Sequence, residues 1–205
     1  MHRRRALIAL LAALFVAGAC ERRNEGNRQA DASKGTDSAP RVDPRCDGRE
    51  LPPLSPGGVG IAQLGVKVSI LARLCRVTDT SYMAVEGVRE RAHVVHFGDH
   101  RVIAVSTGTR DTSIVRVLVY DSAFTTPQGI GVGSTIGEMR SFYPVLAYAS
   151  GEGHYVVSIP SLPGISFAYD AAGFPADPSR ALVRQPAVMD RARIESLWIF
   201  RPIGP

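Results

Sequence analysis

The chain has 205 residues, 45% hydrophobic, 21% charged and 7% aromatic, with a formal charge of +5. Three of its 24 basic residues, Arg3, Arg4 and Arg5, precede the first apolar run; without them 21 basic residues face 19 acidic ones, a net +2. No dense basic stripe with interleaved aromatics occurs, so charge and composition exclude nucleic acid as the expected partner.

Met1-His2-Arg3-Arg4-Arg5 leads into Ala6 to Ala19, 14 residues without a charge. A basic head, a short apolar run and small residues before a cut describe a secretory signal peptide over 1–19. Spanning the hydrocarbon takes about 20 residues, so the run is too short for a retained transmembrane helix. Val16-Ala17-Gly18-Ala19-Cys20 resembles a bacterial lipobox, which implies a diacylglycerol thioether on Cys20. Ala17 stands where that motif usually has Leu or a similar aliphatic. Ala17-Gly18-Ala19 also reads as an ordinary A-x-A cleavage site, and both readings cut before Cys20. The expectation is a protein of the bacterial cell envelope, anchored to a membrane through lipid on Cys20, at the periplasmic face of the outer membrane. Each buried methylene of such an anchor contributes about 0.8 kcal/mol.

The cysteines are Cys20, Cys46 and Cys75. An odd count in an exported chain needs an explanation. Lipidation of Cys20 leaves Cys46 and Cys75 to pair in an oxidising compartment. One disulfide closing a loop of about 30 residues stabilises by on the order of 3 kcal/mol.

Glu21 to about Pro44 is polar, mixed in charge and nearly without large apolar residues. It cannot bury enough surface to offset the entropy of ordering. Residues 20–56 therefore read as the lipidated cysteine and a flexible tether, ending in a Pro-rich approach that holds Cys46. The 24 residues of its polar part would reach about 25–30 Å as a coil. The globular domain is expected over 57–205, with halves at about 57–122 and 123–205.

The halves echo each other. Aligning Gly65 with Gly133 matches Leu64 to Val132, Val68 to Ile136, Leu71 to Met139 and Cys75 to Tyr143. The spacing i, i+3, i+7 puts the last three on one face of a short helix. Thr135-x-x-Glu138 fits a capping box at the second helix, a cap that Lys67 and Ile70 do not repeat in the first. After the first helix, Ala92–Phe97 and Arg101–Ser106 flank Gly98-Asp99, a two-residue hairpin signal, and Ile114–Tyr120 makes a third strand. After the second come Tyr155–Ile159, Ile165–Tyr169 and, beyond a long Pro/Ala-rich insertion over Ala171–Ala192, Arg193–Phe200. The fold class is α+β: two tandem repeats of a helix plus an antiparallel meander, forming one antiparallel sheet with short helices on one face.

A helix after Gly133-Ser134-Thr135-x-x-Glu138-Met139, followed by a three-stranded meander in a lipoprotein, resembles the small lipoprotein of the outer-membrane barrel-assembly machinery. The tandem arrangement is similar to that of β-lactamase-inhibitor proteins. The resemblance implies a fold type and a non-enzymatic role, and it carries no functional residue across. The Gly65 copy departs from it at Val66 and Lys67.

Gly129-x-Gly131-x-Gly133-Ser134-Thr135 precedes a helix, where backbone amides can hold phosphate. It lacks both the Walker lysine and the third glycine of a dinucleotide fingerprint, so a tight turn into a capped helix is the reading. His93, His96 and His100 crowd one hairpin. Strand alternation sends His93 and His96 to opposite faces, while His93 and His100 share a face at opposite ends of the ladder, so no metal site is expected. No Gly-x-Ser-x-Gly elbow occurs. Ser150-Gly151-Glu152-Gly153-His154 reads as a turn, and nothing selects a carboxylate pair among Glu86, Glu90, Asp99 and Asp111, placed in turns or loops. Trp198 reads first as a packed terminal strand residue and second as a binding anchor.

No catalytic residue, cofactor or metal ligand is assigned. The expected function is a non-catalytic envelope lipoprotein that binds another envelope protein or the cell wall. The alternatives are an exported hydrolase with an unidentified site and an inhibitor-like binder of a secreted enzyme. A deep polar pocket with converging titratable groups would favour the enzyme; a broad, exposed apolar or aromatic face would favour the binder.

Overall fold

The computed structural model describes residues 42–85, 88–106, 112–151, 154–169 and 186–201. The signal peptide, Cys20 and the polar part of the tether lie outside them.

The described chain builds eight antiparallel strands into one sheet, with a small three-stranded sheet and short helices packed on one side. The first half runs through a 3-10 turn at Pro44–Cys46 and three two-residue strands, β1 (Leu54–Ser55), β2 (Gly58–Val59) and β3 (Ala62–Gln63). Helix α1 (Val68–Leu74) and the strands β4 (Val77–Val85), β5 (Val88–Phe97), β6 (His100–Ser106) and β7 (Ile114–Val119) follow. The second half has α2 (Ile136–Phe142), β8 (Ala147–Gly151), β9 (His154–Ser158), β10 (Ile165–Tyr169), a helix α3 (Pro186–Arg191) and β11 (Ile194–Phe200). The strand order β4-β5-β6-β7-β11-β10-β9-β8 is palindromic, with the last strands of the halves paired at the centre. The α+β, sheet-dominated class is as the sequence suggests. Each meander, however, has four strands rather than three.

The two additional strands, β4 and β8, are the outer edges. An edge strand needs no continuous apolar face. Val77-Thr-Asp-Thr-Ser-Tyr-Met-Ala-Val85 is largely polar and Ala147-Tyr-Ala-Ser-Gly151 largely small, so neither carries the apolar alternation that marks the inner strands. Glu90 lies in β5, opposite Met83 of β4, and not in a loop.

The halves match at the level of individual hydrogen bonds. In the first, the amide of Gly65 donates to the Ile114 carbonyl at 2.7 Å, Val68 to Thr112 at 3.0 Å, and Ile114 to Val66 at 2.9 Å. In the second, Gly133 donates to Ile194 at 2.8 Å, Ile136 to Ala192 at 2.9 Å, and Ile194 to Ser134 at 2.9 Å. Bridges Lys67–Ser113 and Thr135–Arg193 complete the pattern. Each helix start is thus tied to the start of the fourth strand of its own half, in the register of the Gly65–Gly133 alignment. These main-chain acceptors satisfy amides that a helix N-terminus leaves without partners. Thr135 and Glu138 form a full capping box, whereas Lys67 caps α1 with no side-chain bond. The aligned pairs Leu71/Met139 and Cys75/Tyr143 are buried in both halves.

The hairpin at Gly98-Asp99 pairs Phe97 with His100 and His96 with Arg101, as the turn signal implies. Residues 43–56, placed with the tether in the sequence reading, are instead packed on the domain. Cys46 is bonded to Cys75, with a Cα–Cα distance of 5.4 Å. The Gly98 amide donates to the Cys46 carbonyl, and the Leu54 amide to Thr125. Gly48 and Gly98 both have positive φ, and a Cβ on Gly48 would lie 2.7 Å from the Gly98 Cα. Burial of Cys46 and Leu54 outweighs the ordering of this Pro-rich stretch, a gain its local composition does not display.

The Ala171–Ala192 insertion falls largely outside the described residues. Its end is not irregular: α3 packs on α2, with Met189 buried and Arg140 paired to Asp190 at 3.0 Å.

Candidate functional site

Pairing fixes which side chains share a face, because directly opposed residues point the same way. One face carries Val95, Phe97, Val102, Ala104, Val117, Val119, Leu197, Ile199, Phe167 and Val157, and it meets Leu71, Ile136, Met139 and Met189 from the helices. Phe97 and Phe124 meet edge to face there, their centroids 5.6 Å apart. Every residue that the eight-stranded sheet gives to the main core belongs to this face, and Leu54, Val59 and Ala62 of the small sheet join the same core.

The middle of the opposite face is apolar too, yet lies outside that core. One row crosses the sheet as Thr78, Val94, Ile103, Leu118, Trp198, Ser166, Ser158 and Ala147. The adjacent row holds Ala92, Val105, Arg116 and Phe200. Val105 and Leu118 are shielded by their neighbours, Val94, Ile103, Trp198 and Phe200 are half-buried, and Tyr120 is 52% exposed. A groove of about 390 Å³ lies on this outer face, lined by Val94, Arg101, Ile103, Leu118, Tyr120 and Asp121. The Trp198 indole donates to the Ser196 hydroxyl at 3.1 Å, which lays the ring along β11. Sequence reading singled out Trp198 but not the row it completes.

The groove's titratable rim has a defined polarity. Asp121 accepts from the Ala123 amide at 3.0 Å and the Arg101 amide at 3.4 Å, and bonds His100 Nδ1 at 3.1 Å. Burial pulls its pKa upward, but these donors outweigh it and hold the carboxyl below its ordinary value. Burial pushes the Tyr120 phenol up, so it stays a protonated donor.

The remaining sequence candidates separate. His93 points to the core and bonds the Ser106 hydroxyl at 3.0 Å; His96 points outward and bonds Thr78 at 2.6 Å; His100 bonds Asp121. Among the described residues no three His, Cys, Asp or Glu side chains converge on a metal position. His100 and Asp121 form the nearest thing to a catalytic dyad, and among the described residues no Ser, Thr or Cys side chain is bonded to His100. The glycine-rich loop uses its amides internally: Gly129 donates to Thr126, Ile130 to the Thr126 hydroxyl, Gly131 to the Ser134 hydroxyl, Gly133 to Ile194 and Thr135 to Glu138. None of those donors is left for a phosphate. Gly151 of β8 pairs with His154 of β9; residues 152–153, where the sequence suggests a turn, lie outside the described residues, as do Glu86 and Asp111.

His93 is 5% exposed, and burial, then the neighbouring Arg91 charge, lowers its pKa. The unfolded chain then takes up the proton first. Stability from this group is full above about pH 6.5 and is lost as pH falls through the folded value. Urea midpoints are expected to fall between pH 7.5 and 5.5, with a smaller drop in His93→Gln. An equal drop in both proteins would remove His93 as the responsible group.

In overall fold the chain is similar to the uncharacterized protein YfeY from Escherichia coli, with a TM-score of 0.52 and 18% sequence identity over 73% of this chain and 99% of that one. At that identity the likeness concerns the fold alone. No family model and no curated protein matches the chain.

Proposed function

We propose that the chain is a lipid-anchored protein of the bacterial cell envelope that works as a non-catalytic binding module. It presents the outer face of its sheet to another envelope protein. The observation that carries this reading is the row Val94–Ile103–Leu118–Trp198, apolar, partly exposed and separate from the core. Apolar surface left partly open outside a core is where interaction surfaces form, and Trp, Tyr and Arg are the residue types most enriched at binding hot spots. Lipidation at Cys20 and a polar tether would hold that face near a membrane, at the periplasmic side of the outer membrane. The resemblance to the barrel-assembly lipoprotein and to β-lactamase-inhibitor proteins supports a binding role by analogy. The second resemblance rests on the tandem helix-plus-meander halves, and it makes a secreted enzyme the other partner class to look for.

The test is cross-linking and affinity capture of the tagged full-length protein from its own cells, read by mass spectrometry beside Cys20→Ala and Trp198→Ala. One stoichiometric partner, weakened by both substitutions, is the expected result. Capture unaffected by Trp198→Ala would remove the outer face from the interface. A mature Cys20 without acyl mass would remove the anchor.

A further inference from the structure

The donors around the outer-face groove say what chemistry would fill it. Its floor is the cross-strand row Val94–Ile103–Leu118. Two residues before Ile103 and two after Leu118, side by side beyond that pair, stand Arg101 and Tyr120, both exposed and both lining the groove. The Arg101 guanidinium has no ion-pair partner among the described residues, and the Tyr120 hydroxyl has no hydrogen-bond partner there. Among the described residues the only acid of the lining is Asp121, whose two oxygens already accept from Ala123, Arg101 and His100. The uncommitted polar groups of the rim are therefore a guanidinium fork, which only donates, and a phenol, which can donate, above an apolar floor, while the Asp121 charge is held by its own donors. A guanidinium fork matches a carboxylate in a two-point geometry.

From this geometry we infer, building on the binding-module reading, that the groove takes an extended acidic polypeptide segment, with an apolar side chain on the Ile103–Leu118 floor and a carboxylate two residues away held by Arg101 and Tyr120. In an extended chain residues i and i+2 point the same way, about 6.5–7 Å apart. That spacing matches two residues along β6, the separation of floor and rim. Opposite charge across the rim sets partner choice and salt dependence.

Trp198 continues the floor row on β11 and is the single tryptophan of the chain, so its emission reports on the groove. Purified full-length protein in detergent would be titrated with three pools of short peptides that share a Leu-Ser-X repeat, where X is Glu, Gln or Lys. The Glu pool is expected to shift Trp198 emission at about tenfold lower concentration than the Gln pool, an advantage that shrinks as salt is raised. The Lys pool should be weakest. Arg101→Glu should reverse the order of the Glu and Lys pools, and Tyr120→Phe should lose several-fold for the Glu pool alone. Melting temperatures of both variants should match the parent, since both positions are exposed.

Equal response to all three pools, or an unchanged order in Arg101→Glu, would overturn the acidic preference while leaving apolar docking in place. A response to phosphatidylglycerol vesicles and to no peptide would overturn the polypeptide assignment in favour of a lipid anion. Silence towards every probe, with partner capture still sensitive to Trp198→Ala, would overturn this groove as the contact point and leave the outer face standing. Silence with no capture would overturn the binding-module reading itself.

Discussion

Replacing Cys46 or Cys75 with serine is expected to lower the stability of the folded unit by about 3–4 kcal/mol. The bond closes a loop of sequence separation 29, and loop closure of that length constrains the unfolded chain by roughly this amount. For a domain of this size the loss corresponds to a drop of about 10 °C in melting temperature. A second contribution is native. The disulfide holds the segment at 43–48 against the end of α1 and the β5–β6 hairpin: the Asp43 amide donates to Leu74 of α1 at 2.8 Å, and the Gly98 amide of the hairpin donates to Cys46 at 2.9 Å. Gly48 and Gly98 meet back to back, each at positive φ, which a β-carbon disfavours by about 1–2 kcal/mol before any clash. Gly98→Ala would also drive its Cβ to 2.8 Å from the Asp47 carbonyl oxygen. It should therefore destabilise with the disulfide intact, and the single and double variants should couple because they act on one contact. Denaturant unfolding of Cys46→Ser, Gly98→Ala and the pair measures this. Less than about 1 kcal/mol for each would mean that the segment lies outside the cooperative unit.

That segment also shows where sequence and structure part. Cysteine arithmetic placed the disulfide, but local composition put its first half in the tether, because Pro-rich stretches display no apolar period of their own. The inner strands were legible for the opposite reason. Val102-Ile-Ala-Val105, Ile114-Val-Arg-Val-Leu-Val119 and Leu197-Trp-Ile-Phe200 are apolar almost throughout. Such runs signal strands, and they cannot say which face the helices will cover. The connections decide it: α1, α2 and the small sheet all return to the face of Val95, Val117 and Leu197. The outer row Val94–Ile103–Leu118–Trp198 exists only once four strands are in register, so no local signal could have announced it. His93 and His96 were separable from alternation alone, and the Thr135–Glu138 box from spacing alone, because both rest on contacts within a few residues. The edge strands, the close of the insertion and the groove depend on residues far apart in the chain.

Leu71→Ala and Met139→Ala are expected to cost about 2–5 kcal/mol each, the range for truncating a large, fully buried side chain. The two residues occupy equivalent places on α1 and α2 and are both fully buried, while Ile70, one residue before Leu71, is 44% exposed. Ile70→Ala should change stability by less than about 0.5 kcal/mol and serves as the control for helix propensity. The form of the transition carries more information than its size. The halves are joined through the β7–β11 pairs Leu197–Val119, Trp198–Leu118, Ile199–Val117 and Phe200–Arg116, and their apolar residues form one core cluster. A single sheet with a single core should unfold as one unit, so either substitution should move one common transition seen alike by Trp198 fluorescence and by far-ultraviolet circular dichroism. Were the halves to fold as separate modules, Leu71→Ala would split the curve and move only the first half. Trp198, which reports the second half, would then stay where it was. Equal movement of both probes in both variants is the expected result, because the central strand pair makes each half the edge cover of the other: without β11, β7 would expose an apolar edge, and without β7, β11 would do the same.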